Sequence, residues 1–191
     1  ANANEREGLF QLTSKKDITI EILVNNVSVG FWATFMSTPE EKLEEVINVN
    51  IKCTTHLTKI FLPGMIEKNE GHIINLSSTG AFIGGPHIVC YCATKAYIQS
   101  FSESLSMELS KTGVNVLAAC IGATDTHFWK YAGMAGTSYE QKIHKMSAQE
   151  VAQNIINALK KNKSDIVVGI RNKFIRLVVK LSPREWIKKL A

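Results

Sequence analysis

The sequence is poor in cysteine, and its four cysteines form no familiar metal or disulfide pattern. Cys90 and Cys92 are separated by one residue, a spacing that suits neither a disulfide nor a CxxC site. No set of His and Cys residues has the spacing of zinc ligands. We therefore expect reduced thiols, no metal, and an intracellular, cytoplasmic protein; association with the endoplasmic reticulum membrane is the alternative location.

Long apolar runs are also missing. No stretch approaches the ~20 consecutive apolar residues of a membrane-spanning helix. Residues 1–10 are polar and acidic, which predicts no signal peptide, while a targeting segment on a longer parent chain stays open. The sequence contains neither the Gly-x-Ser-x-Gly elbow of a hydrolase nor a Walker A phosphate loop, so neither chemistry is favoured.

Acidic residues are scarce in the last part of the chain. The net charge is +5, but residues 159–191 contain ten Lys/Arg and two Asp/Glu, a local excess of +8 that leaves −3 for the remainder. Such a segment is typical of a solvated face, and also of a surface that meets nucleic acid, an acidic partner or an anionic membrane. We predict no nucleic-acid partner.

The same segment contains apolar residues at helical spacing, mixed with Lys173, Arg176 and Lys180, and the mixture continues around Trp186. The apolar residues are Phe174, Ile175, Leu177, Val178 and Leu181. Two alternatives stay open for this pattern. The helix docks on a membrane surface, or its apolar face covers the sheet and a substrate pocket.

Short apolar runs alternate with long helical patterns along the chain. Buried strands are predicted at residues 21–27, 72–78, 114–120 and 165–169. Helices are predicted from a capping box at 38–41 to about residue 62, over 91–111, and after a cap at Ser147. This alternation predicts a single α/β domain over residues 1–191, with a parallel sheet flanked by helices. The first strand is apolar throughout, so we expect it to have neighbours on both sides.

A tyrosine and a lysine four residues apart are the first candidates for chemistry. Tyr91 and Lys95 share a face of a predicted helix, where an ammonium favours the phenolate and lowers the tyrosine pKa below ~10. Taken alone, such a pair is usually structural. Ser78 lies thirteen residues before Tyr91 at a strand end, where its hydroxyl can bond a substrate oxygen. Asn50 interrupts an apolar helical pattern, and if it is buried its amide needs partners.

Five short motifs around these residues resemble the short-chain dehydrogenase/reductase family, in the family's order, over residues 20–159. ILVNNVS resembles its Asn-Asn-Ala-Gly strand and NVNIKC its helical Asn segment. INLSS and YCATK resemble its Ser strand and Tyr-x-x-x-Lys helix, and CIGATDT its Pro-Gly-x-Val-x-Thr turn. ILVNNVSVG, LPGMIEK and HIINLSS are most similar to the 17β-hydroxysteroid and 3-ketoacyl-CoA reductase branch. The resemblance implies a Rossmann-like parallel sheet with flanking helices.

The resemblance also implies catalytic roles in the interconversion of a carbonyl and an alcohol. Tyr91 would exchange a proton with the substrate oxygen, and Ser78 would orient that oxygen. Lys95 would lower the Tyr91 pKa and bind the nicotinamide ribose. Asn50 would hold a water that links Lys95 to solvent.

The implied cofactor is NAD(P), with NADP favoured over NAD. Besides Tyr91 and Lys95, Asn25 would line its adenosine side and Thr126 its nicotinamide amide or phosphate. The implied assembly is a homodimer or homotetramer, formed through helices 42–62 and 91–111. The resemblance places the substrate loop at residues 126–146, where Phe128, Trp129, Tyr131, Met134 and Tyr139 suggest a small apolar substrate of steroid, fatty acyl or retinoid type. Aromatic side chains in that loop fit an apolar substrate, or else pack the loop on the sheet.

The glycine-rich stretch STGAFIGG, residues 78–85, differs from the family's pyrophosphate loop. It precedes the Tyr91 helix, and Pro86 stands where the phosphate motif has its last glycine, so we predict a substrate-side loop. The family loop Thr-Gly-x-x-x-Gly-x-Gly lies on its first strand, and here the only glycine before Gly30 is Gly8. We therefore expect an N-terminally incomplete Rossmann-like domain, without the first strands and the Gly-rich loop. On its own it should bind NAD(P) weakly.

Four positions depart from the family motifs: Val27 and Ser28 replace Ala-Gly, Cys53 replaces a glycine, and Ile121 replaces a proline. The first two are larger than the family residues and stand near the expected path of the cofactor. These departures support an alternative in which the chain is a truncated or inactive relative that acts by binding.

Overall fold

Four parallel strands form the sheet in the computed structural model, which describes residues 3–187. The strands are β1 Ile22–Asn25, β2 Gly71–Ser78, β3 Val114–Ile121 and β6 Asp165–Val167. Their order across the sheet is β1-β2-β3-β6, and every pair is parallel. A second parallel pair joins β4 Thr124–Asp125 to β5 Met146–Ser147. The predicted α/β architecture with a Rossmann-like parallel sheet is confirmed.

Helices connect the strands and flank the sheet. They are α1 Ala3–Lys15, α2 Glu40–Ile47, α3 Thr54–Lys68, α4 Val89–Glu108, α5 Phe128–Tyr131, α6 Ser138–Lys142, α7 Ala148–Leu159, α8 Ile170–Leu181 and α9 Arg184–Ile187. A π-helical turn, Asn48–Cys53, joins α2 to α3. Between residues 3 and 187, no helix combines the length and apolar character needed to cross a bilayer.

Successive side chains of β2 enter different cores, as the two-residue period of a strand requires. Ile73 packs with Met65 of α3 and with Leu109 at the end of α4. Ile74 packs on the other face of the sheet, with Ile155 of α7. Helices α3 and α4 therefore cover one face and α7 the other, which leaves the carboxyl ends of the strands free to form a site.

Strand β1 lies at an edge of the sheet. Within the described residues it pairs only with β2, and Ile22 and Val24 are 47% and 52% exposed. The apolar, unpaired edge of β1 agrees with the expected N-terminally incomplete Rossmann-like sheet. Helix α1 does not fill the edge, because it packs on α3 instead, with Phe10 against Phe61.

The predicted capping box at residues 38–41 is wrong. Helix α2 begins at Glu40 after Pro39, with no side-chain cap. The Thr38 hydroxyl instead donates a hydrogen bond to the Thr34 carbonyl, 2.9 Å away. The residue predicted to cap α2 therefore stabilises the preceding turn. The cap of α7 is confirmed, because the Ser147 hydroxyl accepts a hydrogen bond from the Glu150 amide.

Two helix ends also differ from the prediction. The helix that contains Asn50 continues past residue 62 as far as Lys68, although Pro63 lies inside it. It ends where Asn69 takes a left-handed backbone conformation, with φ of 50°. Helix α4 ends at Glu108, three residues before the predicted end.

The outer faces of the long helices are less apolar than predicted. Leu57, Phe61, Phe101 and Leu105 are the residues expected to be available for a subunit interface. Phe61 is buried beside Phe10 of α1, and Leu105 packs against the core. Leu57 and Phe101 are half-buried.

Helix α8 turns polar side chains toward the sheet. Asn172 donates a hydrogen bond to the Val168 carbonyl, and Arg176 forms ion pairs with Asp165 and Glu103. Ile170, Phe174, Leu177 and Leu181 are all more than half exposed. Of the apolar residues expected to cover the sheet, Phe174, Leu177 and Leu181 therefore do not, whereas Val178 is half-buried. The side chain of Trp186 and residues 188–191 lie outside the described part of the chain.

Candidate active site

The end of β2 and the first turns of α4 bring three predicted site residues together. Ser78 is the last residue of β2, Tyr91 lies in the first turn of α4, and Lys95 follows one turn later. The Ser78 hydroxyl lies close enough to the Tyr91 phenol to lower its pKa, and it accepts a hydrogen bond from the Gly80 amide at 3.2 Å. A Cβ on Gly80 would lie 3.2 Å from the Cys92 sulfur, so glycine allows this turn to pass closely under α4.

Lys95 is buried, and its ammonium points back toward β2. It is 4% exposed, and its Nζ donates a hydrogen bond to the Leu76 carbonyl at 2.7 Å. The same nitrogen lies 5.6 Å from the centroid of the Tyr91 ring. Burial lowers the pKa of Lys95 to about 8 because the charged form loses its water.

The predicted lowering of the Tyr91 pKa is wrong for this structure. Burial raises the pKa of Tyr91 to about 12, although the nearby Ser78 hydroxyl acts in the opposite direction. Phe128 of α5 lies against the Tyr91 ring, with the ring centroids 5.2 Å apart. The Lys95 ammonium bonds the Leu76 carbonyl and lies near the ring rather than at the hydroxyl group, so desolvation outweighs its charge.

Asn50 connects the loop after β1 to the catalytic helix. It lies in the π-helical turn and is 1% exposed. Its Oδ1 accepts a hydrogen bond from the Val29 amide, and its Nδ2 donates to the Val29 carbonyl and to the Thr94 hydroxyl, each at 2.9 Å. Thr94 in turn donates to the Tyr91 carbonyl at 2.7 Å. The buried amide is therefore satisfied, and its predicted contact with a relay water stays a prediction.

Thr94 is a site residue that the sequence reasoning missed. It stands three residues after Tyr91, and its hydroxyl receives the bond from Asn50 while it bonds the Tyr91 backbone. The only available signal was a polar residue on the helical face next to Tyr91. That signal is weak, because Thr is common at such positions.

Asn25 lies in the core rather than in an open cleft. It is 4% exposed, and its Nδ2 donates to Thr58 at 3.2 Å and to Asn75 at 2.7 Å. Asn75 continues the chain of bonds to Ser102 of α4. The predicted contact of Asn25 with adenosine is not tested, and its side chain serves first to tie β1 to α3 and β2.

The loop after β3 covers the site with an aromatic side chain. Besides its contact with Tyr91, Phe128 would lie 3.0 Å from a Cβ on Gly30. Trp129 and Met134 are buried beneath the loop, whereas Tyr131 is 79% exposed. The aromatics thus divide between the two predicted roles: Trp129 packs the loop, and Phe128 faces the candidate reaction site. Thr126 is exposed at the mouth of this loop, where its hydroxyl accepts a hydrogen bond from the Phe128 amide.

The polar groups at this edge of the sheet fit the nicotinamide end of NAD(P). Ser28 Oγ and Asn25 Oδ1 are buried without a hydrogen-bond partner near the end of β1. The Lys95 ammonium has three N–H donors, one of which binds Leu76. The Ser28 hydroxyl, the Lys95 ammonium and the Tyr91 phenol could hold a ribose and a carboxamide. The sequence contains no Thr-Gly-x-x-x-Gly-x-Gly segment for the pyrophosphate.

A metal centre is not evident in the part of the chain that the structure describes. No group of three or more His, Cys, Asp or Glu side chains there could hold an ion.

Comparison with known proteins gives the same class as the site geometry. The family model for the short chain dehydrogenase matches residues 2–137. The chain is 33% identical over 106 residues to a very-long-chain 3-oxoacyl-CoA reductase from Laccaria bicolor, covering 54% of this chain and 31% of that protein. It is 29% identical over 183 residues to 17-beta-hydroxysteroid dehydrogenase 13 from Homo sapiens, covering 92% and 59%.

Among solved structures, the fold matches a short-chain dehydrogenase from Sphingobium yanoikuyae in complex with NADPH. The TM-score is 0.78 at 23% identity, over 95% of this chain and 70% of that one. The chain spans less than two thirds of the length of the two curated relatives. A parallel α/β sheet with a Ser, Tyr and Lys at its carboxyl edge defines the class, and the chain belongs to the short-chain dehydrogenase family.

Proposed function

We propose that this protein is an NAD(P)-dependent oxidoreductase that interconverts a carbonyl and an alcohol. The observation that carries the proposal is the convergence of Ser78, Tyr91 and Lys95 at the carboxyl edge of the sheet. The alternative, an inactive relative that acts by binding, is less favoured because the complete set of reacting side chains is present.

Tyr91 is the proton donor in the proposed reduction. Its raised pKa keeps the phenol protonated at neutral pH, so the resting site is ready to give a proton to a carbonyl oxygen. NAD(P), when bound, supplies or accepts the hydride. Ser78 holds the substrate oxygen next to the phenol.

In this proposal the neighbouring residues position Tyr91 and Ser78, and they return a proton to Tyr91 after it has given its own to the substrate. Lys95 donates one N–H to the Leu76 carbonyl and has further N–H groups available for the nicotinamide ribose. Asn50 fixes the Val29 loop against the catalytic helix through Thr94. We propose that a water near Asn50 connects Lys95 to solvent.

The proposed substrate is small and apolar, of steroid, fatty acyl or retinoid type. Support comes from Phe128 above Tyr91 and from relatives named for a hydroxysteroid and a 3-oxoacyl-CoA. NADP is the proposed cofactor, supported by the NADPH complex of the matching structure. Thr126 and Asn25 remain proposed cofactor contacts.

The proposed assembly is a homodimer or homotetramer in which α3 and α4 meet a second copy. Val89, Tyr97 and Met107 of α4 are 48%, 39% and 69% exposed, which leaves apolar surface for that contact. We propose a cytoplasmic location with association at a membrane surface, such as the endoplasmic reticulum, through the basic segment after Leu159.

The test is oxidation of NADPH, followed by absorbance, with a panel of apolar carbonyls: a steroid ketone, a retinal and a 3-oxoacyl thioester. It uses the complete translated protein and, in parallel, the 191-residue chain. NADPH oxidation that depends on one class of carbonyl supports the proposal and names the class. If NADPH binds by calorimetry but no carbonyl, including small polar ones, is turned over, the oxidoreductase proposal is wrong.

A further inference from the structure

The outward face of α8 is a continuous apolar stripe. Ile170, Phe174, Leu177 and Leu181 follow one another at intervals of four, three and four residues, which places them on one face of the helix. They are 79%, 67%, 52% and 75% exposed. These four residues are called the α8 stripe below.

Polar contacts with the sheet fix the orientation of this stripe. Arg176 lies on the opposite side of the helix, paired with Asp165 and Glu103 and stacked 4.8 Å from the centre of the Phe82 ring. Asn172 bonds the Val168 carbonyl on the same side. Rotating the stripe toward the sheet would break these contacts and leave the partly buried Asp165 carboxylate without its partner.

A groove runs beside α8, between it, β6 and the end of α7. Its volume is about 870 Å³. Four lysines line it: Lys161 and Lys163 from the loop before β6, and Lys173 and Lys180 from α8. Its acidic residues, Glu103 and Asp165, are already paired with Arg176. Within residues 3–187 none of the four lysines forms an ion pair, so the lysine groove carries uncompensated positive charge.

We propose that the lysine groove binds anionic phospholipid headgroups while the α8 stripe enters the membrane interface beside it. The inference rests on the proposed membrane association and gives it a site and an orientation. Lysines and apolar side chains lie next to each other along one helix, as in helices that lie flat on anionic bilayers. The phosphate of a headgroup would replace the missing acidic partners, and the stripe would leave water.

Two other occupants fit the surface less well. A nucleic acid would meet the lysines but would leave the α8 stripe exposed to water or against phosphates. A second copy packed stripe against stripe would bring Arg171, Lys173 and Lys180 of both copies together, and like charges oppose such a contact. Charge and apolar surface together therefore favour an anionic membrane.

The experiment is co-sedimentation of the protein with phosphatidylcholine vesicles, with and without phosphatidylserine. Binding is expected only with phosphatidylserine and is expected to weaken as salt rises. Lys161→Gln/Lys163→Gln should weaken it about 30-fold, and Phe174→Ser/Leu177→Ser at least tenfold. The matched controls are Lys59→Gln/Lys111→Gln, two exposed lysines elsewhere, and Met36→Ser, a 92% exposed apolar residue outside α4 and α8.

Each other outcome overturns a defined part of the inference. Vesicle binding that persists in the Lys161/Lys163 variant removes the headgroup site but leaves membrane association standing. If the protein binds neither kind of vesicle at low salt, the headgroup site and the membrane association are both wrong. The inference is also overturned if light scattering shows that Phe174→Ser/Leu177→Ser dissociates a dimer, or if a DNA duplex competes with the vesicles. Circular dichroism of each variant confirms folding, and NADPH oxidation by the complete protein tests the proposed chemistry separately.

Discussion

Helices α4 and α8 both pack on the sheet, but they turn different kinds of side chain toward it. Helix α4 buries Thr94, Lys95, Ile98, Gln99 and Ser102, a mixture of polar and apolar side chains. Helix α8 buries no side chain fully, holds the sheet through Arg176 and Asn172, and leaves its apolar stripe in water. Buried polar groups with partners therefore indicate the site, whereas exposed apolar groups indicate a surface without a partner in this structure.

Removing Asn50 should have the largest effect on stability, because it tests the hydrogen-bonded side of this comparison. Asn50→Ala deletes three buried hydrogen bonds, to the Val29 amide and carbonyl and to Thr94. We expect a loss of about 3 kcal/mol in the free energy of unfolding, measured with urea. Asn48→Ala, in the same π-helical turn, is the control. A loss equal to that of the control would show that the network does not stabilise the fold.

The buried charge of Lys95 should make stability depend on pH. Its pKa is about 8 in the folded protein and ordinary when unfolded, so the unfolded chain binds more protons between these values and stability rises with pH there. We expect this group to add about 2–3 kcal/mol to the free energy of unfolding between pH 7 and pH 10. Lys95→Met should flatten that rise in urea unfolding curves, and Lys59→Met should not. An unchanged slope in Lys95→Met would contradict the assigned burial cost.

Helix α8 should detach more readily when its ion pairs are lost. Arg176→Met removes the partner of Asp165 and Glu103. The pair is partly exposed, so we expect only about 1 kcal/mol, seen as faster hydrogen exchange of the α8 amides. Arg171→Met, on the exposed part of the same helix, is the control. Equal exchange in both variants would mean that the apolar residues, rather than the ion pairs, hold α8.

The contact of Phe128 with Tyr91 should affect the pKa of Tyr91 more than the free energy of unfolding. Phe128→Ala opens the Tyr91 ring to water and should lower its pKa toward the ordinary value. Ultraviolet difference titration against a Tyr91→Phe background isolates this tyrosine. Lys130→Ala, on the same short helix, is the control. If the Tyr91 pKa stays high in Phe128→Ala, burial against the sheet rather than contact with the loop raises it.

Much of the fold and half of the site geometry follow from the sequence. Apolar runs separated by helical patterns predict the four strands, and parallel strands place Ser78 beside the helix of Tyr91. The pKa of Tyr91 could not be predicted, because its burial depends on tertiary contacts, among them Phe128 from a distant loop. The orientation of α8 was equally hidden: helical spacing groups its apolar residues on one face, but the partners of Arg176 decide which face turns inward.

The most direct test of the central claim compares Tyr91→Phe with Tyr97→Phe in the complete protein, using the carbonyl that it turns over. Both tyrosines lie on α4, and only Tyr91 contacts Ser78. We predict that Tyr91→Phe lowers kcat by about 100-fold or more, with its circular dichroism spectrum unchanged, and that Tyr97→Phe leaves kcat near the wild-type value. Full turnover by Tyr91→Phe would contradict the assignment of Tyr91 as the proton donor.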